Sequence, residues 1–247
     1  LSAESITPEA FQFGKYSFVT ELRRKIERWV ASRASRIIVP SEYLRRIVKQ
    51  WGVKEEKVSV IYNSLEGKIV SALPKRENII FSAGRLVPWK GFELLIEIMK
   101  ELPADFKLFI AGSGPKEQDL KLKIKDLKLG DRVVLLGSLD QDQMRHYFGL
   151  AKTFALNTSY EGLSHIILEA MQNNVPVITT NVGGNPELIE NNFNGLLVEY
   201  NNKKDFKDAI LKVMNDVSLQ NKFIENSHKE LEKFSKEKMM SELVKIL

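Results

Sequence analysis

The chain has no cysteine. Disulfides, thiolate nucleophiles and cysteine-based zinc sites are therefore excluded, and a reducing, intracellular compartment is compatible with the composition. Histidine is nearly as scarce. His146, His165 and His228 stand far apart with no His-x-x-x-His pair, so no metal site is expected. No apolar run approaches the ~20 residues of a membrane-spanning helix, and no signal-peptide pattern opens the chain. It starts on Leu1 rather than Met, which reads as a fragment whose upstream part is missing. Neither sign of charge dominates: 37 Lys and Arg face 32 Asp and Glu, and the net +5 permits an anionic partner without demanding one. No nucleic-acid-binding motif accompanies that surplus, so nucleic acid is not an expected partner. What remains is ordinary globular composition over 247 residues, enough for one large domain or one domain and part of another.

The pattern of apolar residues divides the chain. Residues 18–34 read as a helix, with Val19, Leu22, Ile26, Trp29 and Val30 at three- and four-residue spacing between basic residues. A short strand at 36–40, a helix at 42–50 capped by Ser41 and stopped at Gly52, and a strand at 58–62 complete a first unit, residues 1–62. Residues 63–76 lack a period and read as a linker. From residue 77 to 235, short apolar strands (78–83, 106–111, 132–136, 153–157, 175–179, 195–198) alternate with helices (91–101, to 127, 140–148, 163–173, 186–190, 203–215, 218–233). A last helix occupies 236–247. Such alternation predicts an α/β fold, a Rossmann-like parallel sheet with helices on both faces. Ligands on such sheets sit beyond the carboxyl ends of the strands.

The chemically informative residues fall just there. Gly84 to Gly91 follows a strand and opens a helix. Gly84 permits a tight turn, Arg85 offers a planar fork of donors for phosphate oxygens, and Lys90 is a point charge at a helix start. Taken alone, the pair also reads as two surface cations near a turn. Glu161 stands in the loop after the strand 153–157, and Glu169 lies eight residues on, about two helical turns into the next helix. Carboxylates suit sugar and ribose hydroxyls, and Gly162 lets backbone N–H groups approach a ligand closely. Glu169 is surrounded by Ile166, Ile167, Leu168, Ala170 and Met171. A carboxylate in that company is paired or functional.

Gly84-Arg85-Leu86 with Lys90-Gly91, Gly112-Ser113-Gly114-Pro115, Glu161-x7-Glu169 with Ala170-Met171, and Val175-Pro176-Val177-Ile178 together resemble family 4 of the retaining glycosyltransferases. Val182-Gly183-Gly184 with Pro186-Glu187, and Asn194 to Val198, extend the resemblance, which runs from about Arg33 to the C-terminus. It implies the GT-B fold, two Rossmann-like domains across a cleft, with residues 1–62 a remnant of the N-terminal, acceptor-side domain and 77–235 the nucleotide-sugar-binding domain. It implies that Arg85 and Lys90 hold the diphosphate and that Glu169 bonds the ribose hydroxyls. Glu161 then sits by the transferred sugar with backbone groups of Gly162, Leu163 and Ser164, and Gly137, Ser138 and Leu139 cup the base. Gly84, Gly112 and Gly114 belong to the same site. The donor implied is a nucleoside-diphosphate sugar, a UDP-sugar first and a GDP-sugar as the alternative. No bound metal or other cofactor is implied, because Arg85 and Lys90 neutralise the leaving diphosphate.

Two departures from the family pattern stand out. Asn63-Ser64 replaces the usual Asn-Gly before the linker, and the acceptor-side histidine falls in the missing part, so His165 reads as a loop or packing residue. The expected partners are a nucleotide sugar, the missing N-terminal domain and an acceptor glycan or glycolipid, as in polysaccharide or glycolipid biosynthesis. The expected location is cytoplasmic. The basic cluster of Arg23, Arg24, Lys25, Arg28, Arg33 and Arg36 near Trp29 reads as a solvated face of a domain-packing helix, or as a peripheral contact with the inner face of an anionic membrane. With the acceptor half absent, the chain is expected to bind donor without efficient transfer. A non-catalytic nucleotide-sugar-binding module and a sugar-nucleotide epimerase are the rival readings.

Overall fold

The structure, a computed structural model, describes residues 18–65 and 76–246. Most of the expected linker, and residues 1–17, lie outside the described residues.

Strands β3 (Ile79–Ala83), β4 (Lys107–Ala111), β5 (Val133–Gly137), β6 (Thr153–Leu156), β7 (Val177–Thr180) and β8 (Gly195–Val198) form one parallel sheet in the order β5-β4-β3-β6-β7-β8. Each is a short, largely apolar run, because both faces of a parallel sheet are covered. Alternate residues supply opposite cores, as the pleat demands. Ile80, Leu108 and Ile110 pack with α3 (Phe92–Ile98), α4 (Glu117–Asp126) and α7 (Lys203–Asn215) through Phe92, Leu120 and Phe206. Ile79, Phe81 and Ala83 pack on the other side with α5 (Gln141–Leu150) and α6 (His165–Gln172) through Phe148, Ile167 and Met171. The chain closes with α8 (Val217–Leu231) and α9 (Lys236–Ile246).

The N-terminal unit comprises α1 (Phe18–Arg33), β1 (Ile37–Val39), α2 (Glu42–Gln50) and β2 (Val58–Val60). Strands β1 and β2 pair in parallel. Val39, Val48, Val53 and Val58 form its small core. Ser41 caps α2 as expected, its Oγ accepting the Leu44 N–H at 3.1 Å. The apolar stripe of α1 is exposed, with Val19 73% and Val30 54% accessible, and Arg33 stacks on Trp29 at 4.0 Å. No helix among the described residues is long and apolar enough to cross a membrane.

Several expected elements are shorter than the sequence pattern suggests, including the strand at 36–40, which spans Ile37–Val39, and the helix at 163–173, which spans His165–Gln172. The strand at 58–62 ends at Val60, leaving Tyr62 to turn toward the sheet domain. The helix at 91–101 begins only at Phe92, since Gly91 is left-handed, and ends at Ile98. The helix at 186–190 is a single 3-10 turn, Asn185–Glu187. The buried Asn185 amide is drawn onto β7, donating to Thr179 Oγ1 and the Thr180 carbonyl, and the Glu190 N–H is taken by Asn194 Oδ1 at 2.8 Å, which ends the helical run.

Candidate functional site

The strand order fixes where a ligand can sit. From β3 the chain moves outward to β4 and β5, then returns to lay β6 on the other side of β3. Between β3 and β6 the loops diverge, which opens a crevice beyond their carboxyl ends. A cavity of about 520 Å³ opens there, lined by Gly84 and Arg85 after β3, Gly112, Ser113 and Gly114 after β4, Ser138 and Leu139 after β5, and Ile166 of α6. The glycines are required by close approach. A Cβ on Gly112 would stand 1.9 Å from the Gly84 carbonyl oxygen, so the two loops can touch only with glycine at position 112. The Gly112 N–H donates to the Gly137 carbonyl at 2.7 Å, and Ser138 Oγ bonds Ser113 Oγ at 3.0 Å, tying the three loops into one wall.

Lys90 and Glu161, 71 residues apart, form an ion pair. Both side chains are close to seven-eighths buried, at 14% and 13% accessible. The Lys90 stem lies over Gly84, where a Cβ would come within 3.5 Å of its Cε. The pair thus borders the cavity rim that Gly84 and Arg85 form. Lys90 closes the 3-10 turn Pro88–Lys90, and that turn is anchored from β6. The Thr158 hydroxyl and the Ser159 N–H both donate to the Trp89 carbonyl, at 3.1 and 2.8 Å. The buried Asn157 amide donates to the Gly91 carbonyl at 3.1 Å and is itself held by Asn201.

Helix α6 supplies a second set of groups. The Ser164 side chain does not cap it, and Ser164 Oγ is buried without a hydrogen-bond partner. An uncapped helix start leaves orphan N–H groups and a positive dipole end, the usual seat of an anion. One turn on, Glu169 is partly buried, and its carboxylate has no hydrogen-bond or ionic partner among the described residues. Burial holds its carboxyl above the ordinary range. An unpartnered, partly buried carboxylate in an apolar helix costs stability.

Of the residues singled out from sequence, Gly84, Arg85, Gly112, Gly114, Ser138 and Leu139 line this cavity, and Lys90 and Glu161 meet beside it. Gly137, Gly162, Leu163, Ser164 and Glu169 do not line it. Gly137 holds Gly112, Leu163 and Ser164 are buried, and Gly162 packs against Leu44 of α2. His165 is exposed, with Nε2 2.9 Å from Asn63 Nδ2, which gives it a packing contact with the segment leaving β2. Sequence reasoning missed Ser113, Asn157 and the Gly183–Glu187 turn as parts of the site. Gly183 has φ +58, and a Cβ there would stand 2.0 Å from the Glu161 carbonyl oxygen, while the Gly184 N–H donates to that same oxygen at 2.9 Å. The Gly-Gly pair after a strand was the available signal. Among the described residues no three His, Asp or Glu side chains cluster as a metal site would require.

Known proteins resemble this chain in sequence and in fold. The model of the family described as glycosyl transferases group 1 matches residues 66–230, and that of glycosyltransferase family 4 matches residues 7–66. An uncharacterized glycosyltransferase of Methanocaldococcus jannaschii is 28% identical over 219 residues, 89% of this chain and 61% of the relative. The N-acetylgalactosamine-N,N'-diacetylbacillosaminyl-diphospho-undecaprenol 4-alpha-N-acetylgalactosaminyltransferase of Campylobacter jejuni is 27% identical over 210 residues, 83% of this chain and 57% of that protein. The chain therefore spans about half to two thirds of the length of the curated relatives it matches. A mutant of S. aureus TarM, solved with fondaparinux, alpha-GlcNAc-glycerol and UDP, superposes with a TM-score of 0.79 at 28% identity, covering 90% of this chain and 46% of that one. Anabaena HepE in complex with UDP-glucose shares the fold at a TM-score of 0.82 and 23% identity, over 98% of this chain and 70% of that one.

Proposed function

The chain belongs to the glycosyl transferases group 1 family, and from that premise we propose that it holds a nucleoside-diphosphate sugar in the crevice between β3 and β6, as the donor half of an enzyme that transfers the sugar with retention. The observation that carries this reading is Glu169. It is a partly buried carboxylate without a partner among the described residues, on the helix whose uncapped start carries Ile166 into the Arg85 cavity. A ribose diol supplies the missing partner, and a diphosphate fits the cationic rim and the helix N-terminus. Ser138 and Leu139 flank the base. A UDP-sugar is the first candidate donor, in keeping with the UDP bound to the TarM relative, and a GDP-sugar the alternative.

The chemistry follows from charge. As the sugar–phosphate bond breaks, negative charge gathers on the departing diphosphate. Arg85, Lys90 and the N–H groups opening α6 are fixed in place before the reaction and stabilise that charge with no further reorganisation. Lys90 is paired with Glu161. A donor phosphate arriving at the rim shares Lys90 and leaves Glu161 beside the sugar hydroxyls. On this account the diphosphate is neutralised by side chains and helix dipole rather than by a metal ion. Residues 1–62 are the end of the acceptor-side domain, 63–76 the link and 77–235 the donor domain. The acceptor is a glycan or glycolipid, as the undecaprenol-linked substrate in the name of the Campylobacter relative suggests. The enzyme works in the cytoplasm, with the basic face of α1 solvated or, as the alternative, meeting the inner face of the membrane.

The test is a melting-temperature panel of UDP-, GDP- and ADP-sugars on this chain, since a ligand selective for the folded state stabilises it by mass action. One nucleotide class raises the melting temperature of the parent and fails to do so for Arg85→Ala. In the enzyme containing this chain, Arg85→Ala and Lys90→Ala each lower turnover by about a hundredfold or more, the scale of losing one preorganised contact to developing charge. Near-normal turnover in either variant contradicts the assignment. Calorimetry beside a transfer assay separates donor binding from catalysis by this chain alone.

A further inference from the structure

The turn after β7 has two ends, and they hold different parts of the molecule. At one end, Gly183 and Gly184 press against the backbone of Glu161 and Gly162. At the other end, both oxygens of the Glu187 carboxylate reach the N-terminal unit. Oε2 accepts the Glu42 N–H and Oε1 accepts the Tyr43 N–H, each at 2.8 Å, and the Tyr62 hydroxyl donates to Oε2 at 3.0 Å. Three donors from two segments, 145 and 125 residues away in sequence, thus converge on one carboxylate. Glu42 and Tyr43 open α2, whose positive dipole end favours an anion there. Ser41 already supplies the local cap through Leu44, so Glu187 is a second anchor brought in from the sheet domain.

The first turn of α2 also touches the loop that carries Glu161. The Tyr43 and Tyr160 rings lie 6.0 Å apart, and a Cβ on Gly162 would stand 3.2 Å from Leu44 Cδ1. Three pieces therefore meet in a closed triangle: the start of α2, the loop 160–162, and the turn 183–187. Burial and the neighbouring Glu187 charge both push the Tyr62 hydroxyl upward in pKa, so it stays a donor across the working pH range.

We propose that Glu187 is a positioning residue: by clamping the start of α2 and Tyr62 it sets the Tyr160–Gly162 loop, and with it Glu161, against the sugar of the donor. This rests on the donor-site reading above. A carboxylate is needed because two diverging N–H groups each take one oxygen. A glutamine amide accepts one and turns its NH2 toward the other. The clamp acts on the loop beside the sugar, not on the Arg85 cavity that takes the diphosphate and base, so its loss separates the two halves of donor recognition.

The experiment is calorimetry on the whole chain with two kinds of probe. One is UDP; the other is whichever of UDP-glucose, UDP-galactose and UDP-N-acetylglucosamine binds the parent most tightly. Glu187→Gln keeps the size of the side chain, and it is expected to leave the UDP Kd within about twofold while weakening the UDP-sugar about tenfold. Tyr62→Phe removes one of the three bonds and gives a smaller loss in the same direction. Unchanged preference for the sugar in Glu187→Gln overturns the proposal. Parallel weakening of both probes with a fall in melting temperature also overturns it, because that is the signature of a purely structural contact. A parent that binds UDP-sugar no better than UDP overturns it while sparing the donor site. A parent that binds neither probe refutes the donor-site reading itself.

Discussion

Glu169 carries the clearest conflict between stability and function. Its carboxyl pKa is raised in the folded protein by burial. The unfolded chain therefore gives up this proton at lower pH than the folded one, and stability falls as pH rises from the ordinary carboxyl pKa through the raised one. Glu169→Gln removes that loss. Its melting temperature should exceed that of the parent at pH 7 and converge on it below about pH 4, where the carboxyl is protonated in both states. The same variant should lose donor-induced stabilisation. A variant less stable than the parent at pH 7 would mean that the carboxylate has an internal partner.

The Lys90–Glu161 pair behaves differently, because each charge depends on the other. Lys90→Met leaves Glu161 mostly buried without its counter-charge, a loss on the order of 3 kcal/mol in urea denaturation. Lys90→Met with Glu161→Gln should recover much of it, since neither charge is then stranded. Equal destabilisation by the single and double variants would show that the pair does not interact. Sequence pattern brought both residues to attention through loop position, but nothing periodic relates positions 71 apart, so their contact was illegible until the strand order was known.

At the scale of elements, the local code was easy to read. The β-branched runs, the Ser41 cap and the Gly52 stop of α2 all follow from nearest-neighbour chemistry. The expected helix at 186–190 did not form because a long-range demand prevailed. Asn185 is buried on β7, and Glu187 is committed to α2. The turn 183–187 also makes a sharp prediction. Gly183→Ala places a Cβ against the Glu161 carbonyl in a left-handed backbone position, so it should destabilise the chain by at least about 1 kcal/mol and weaken UDP-sugar binding. Gly130→Ala, with nothing within 4 Å, should leave donor binding unchanged. Equal donor affinity in both variants would remove the turn from the site.

For the whole molecule, the order of strands and helices from residue 77 onward was readable from alternation alone, but the arrangement β5-β4-β3-β6-β7-β8 was not, since pattern is silent on which strands neighbour each other. That arrangement is what turns scattered loop residues into one crevice. The N-terminal unit adds a second layer of meaning. Among the described residues it leaves the apolar stripe of α1 exposed, and it meets the rest of the molecule through Glu187, Tyr62 and the Arg36 guanidinium, which donates to the Ile246 carbonyl at 2.6 Å. The most direct measurement is a calorimetric comparison of UDP with uridine on this chain, because the two differ only in the diphosphate. Gripped by Arg85, Lys90 and the start of α6, UDP should bind at least about a hundredfold more tightly than uridine. Equal affinities, or no saturable binding of UDP, would contradict the account.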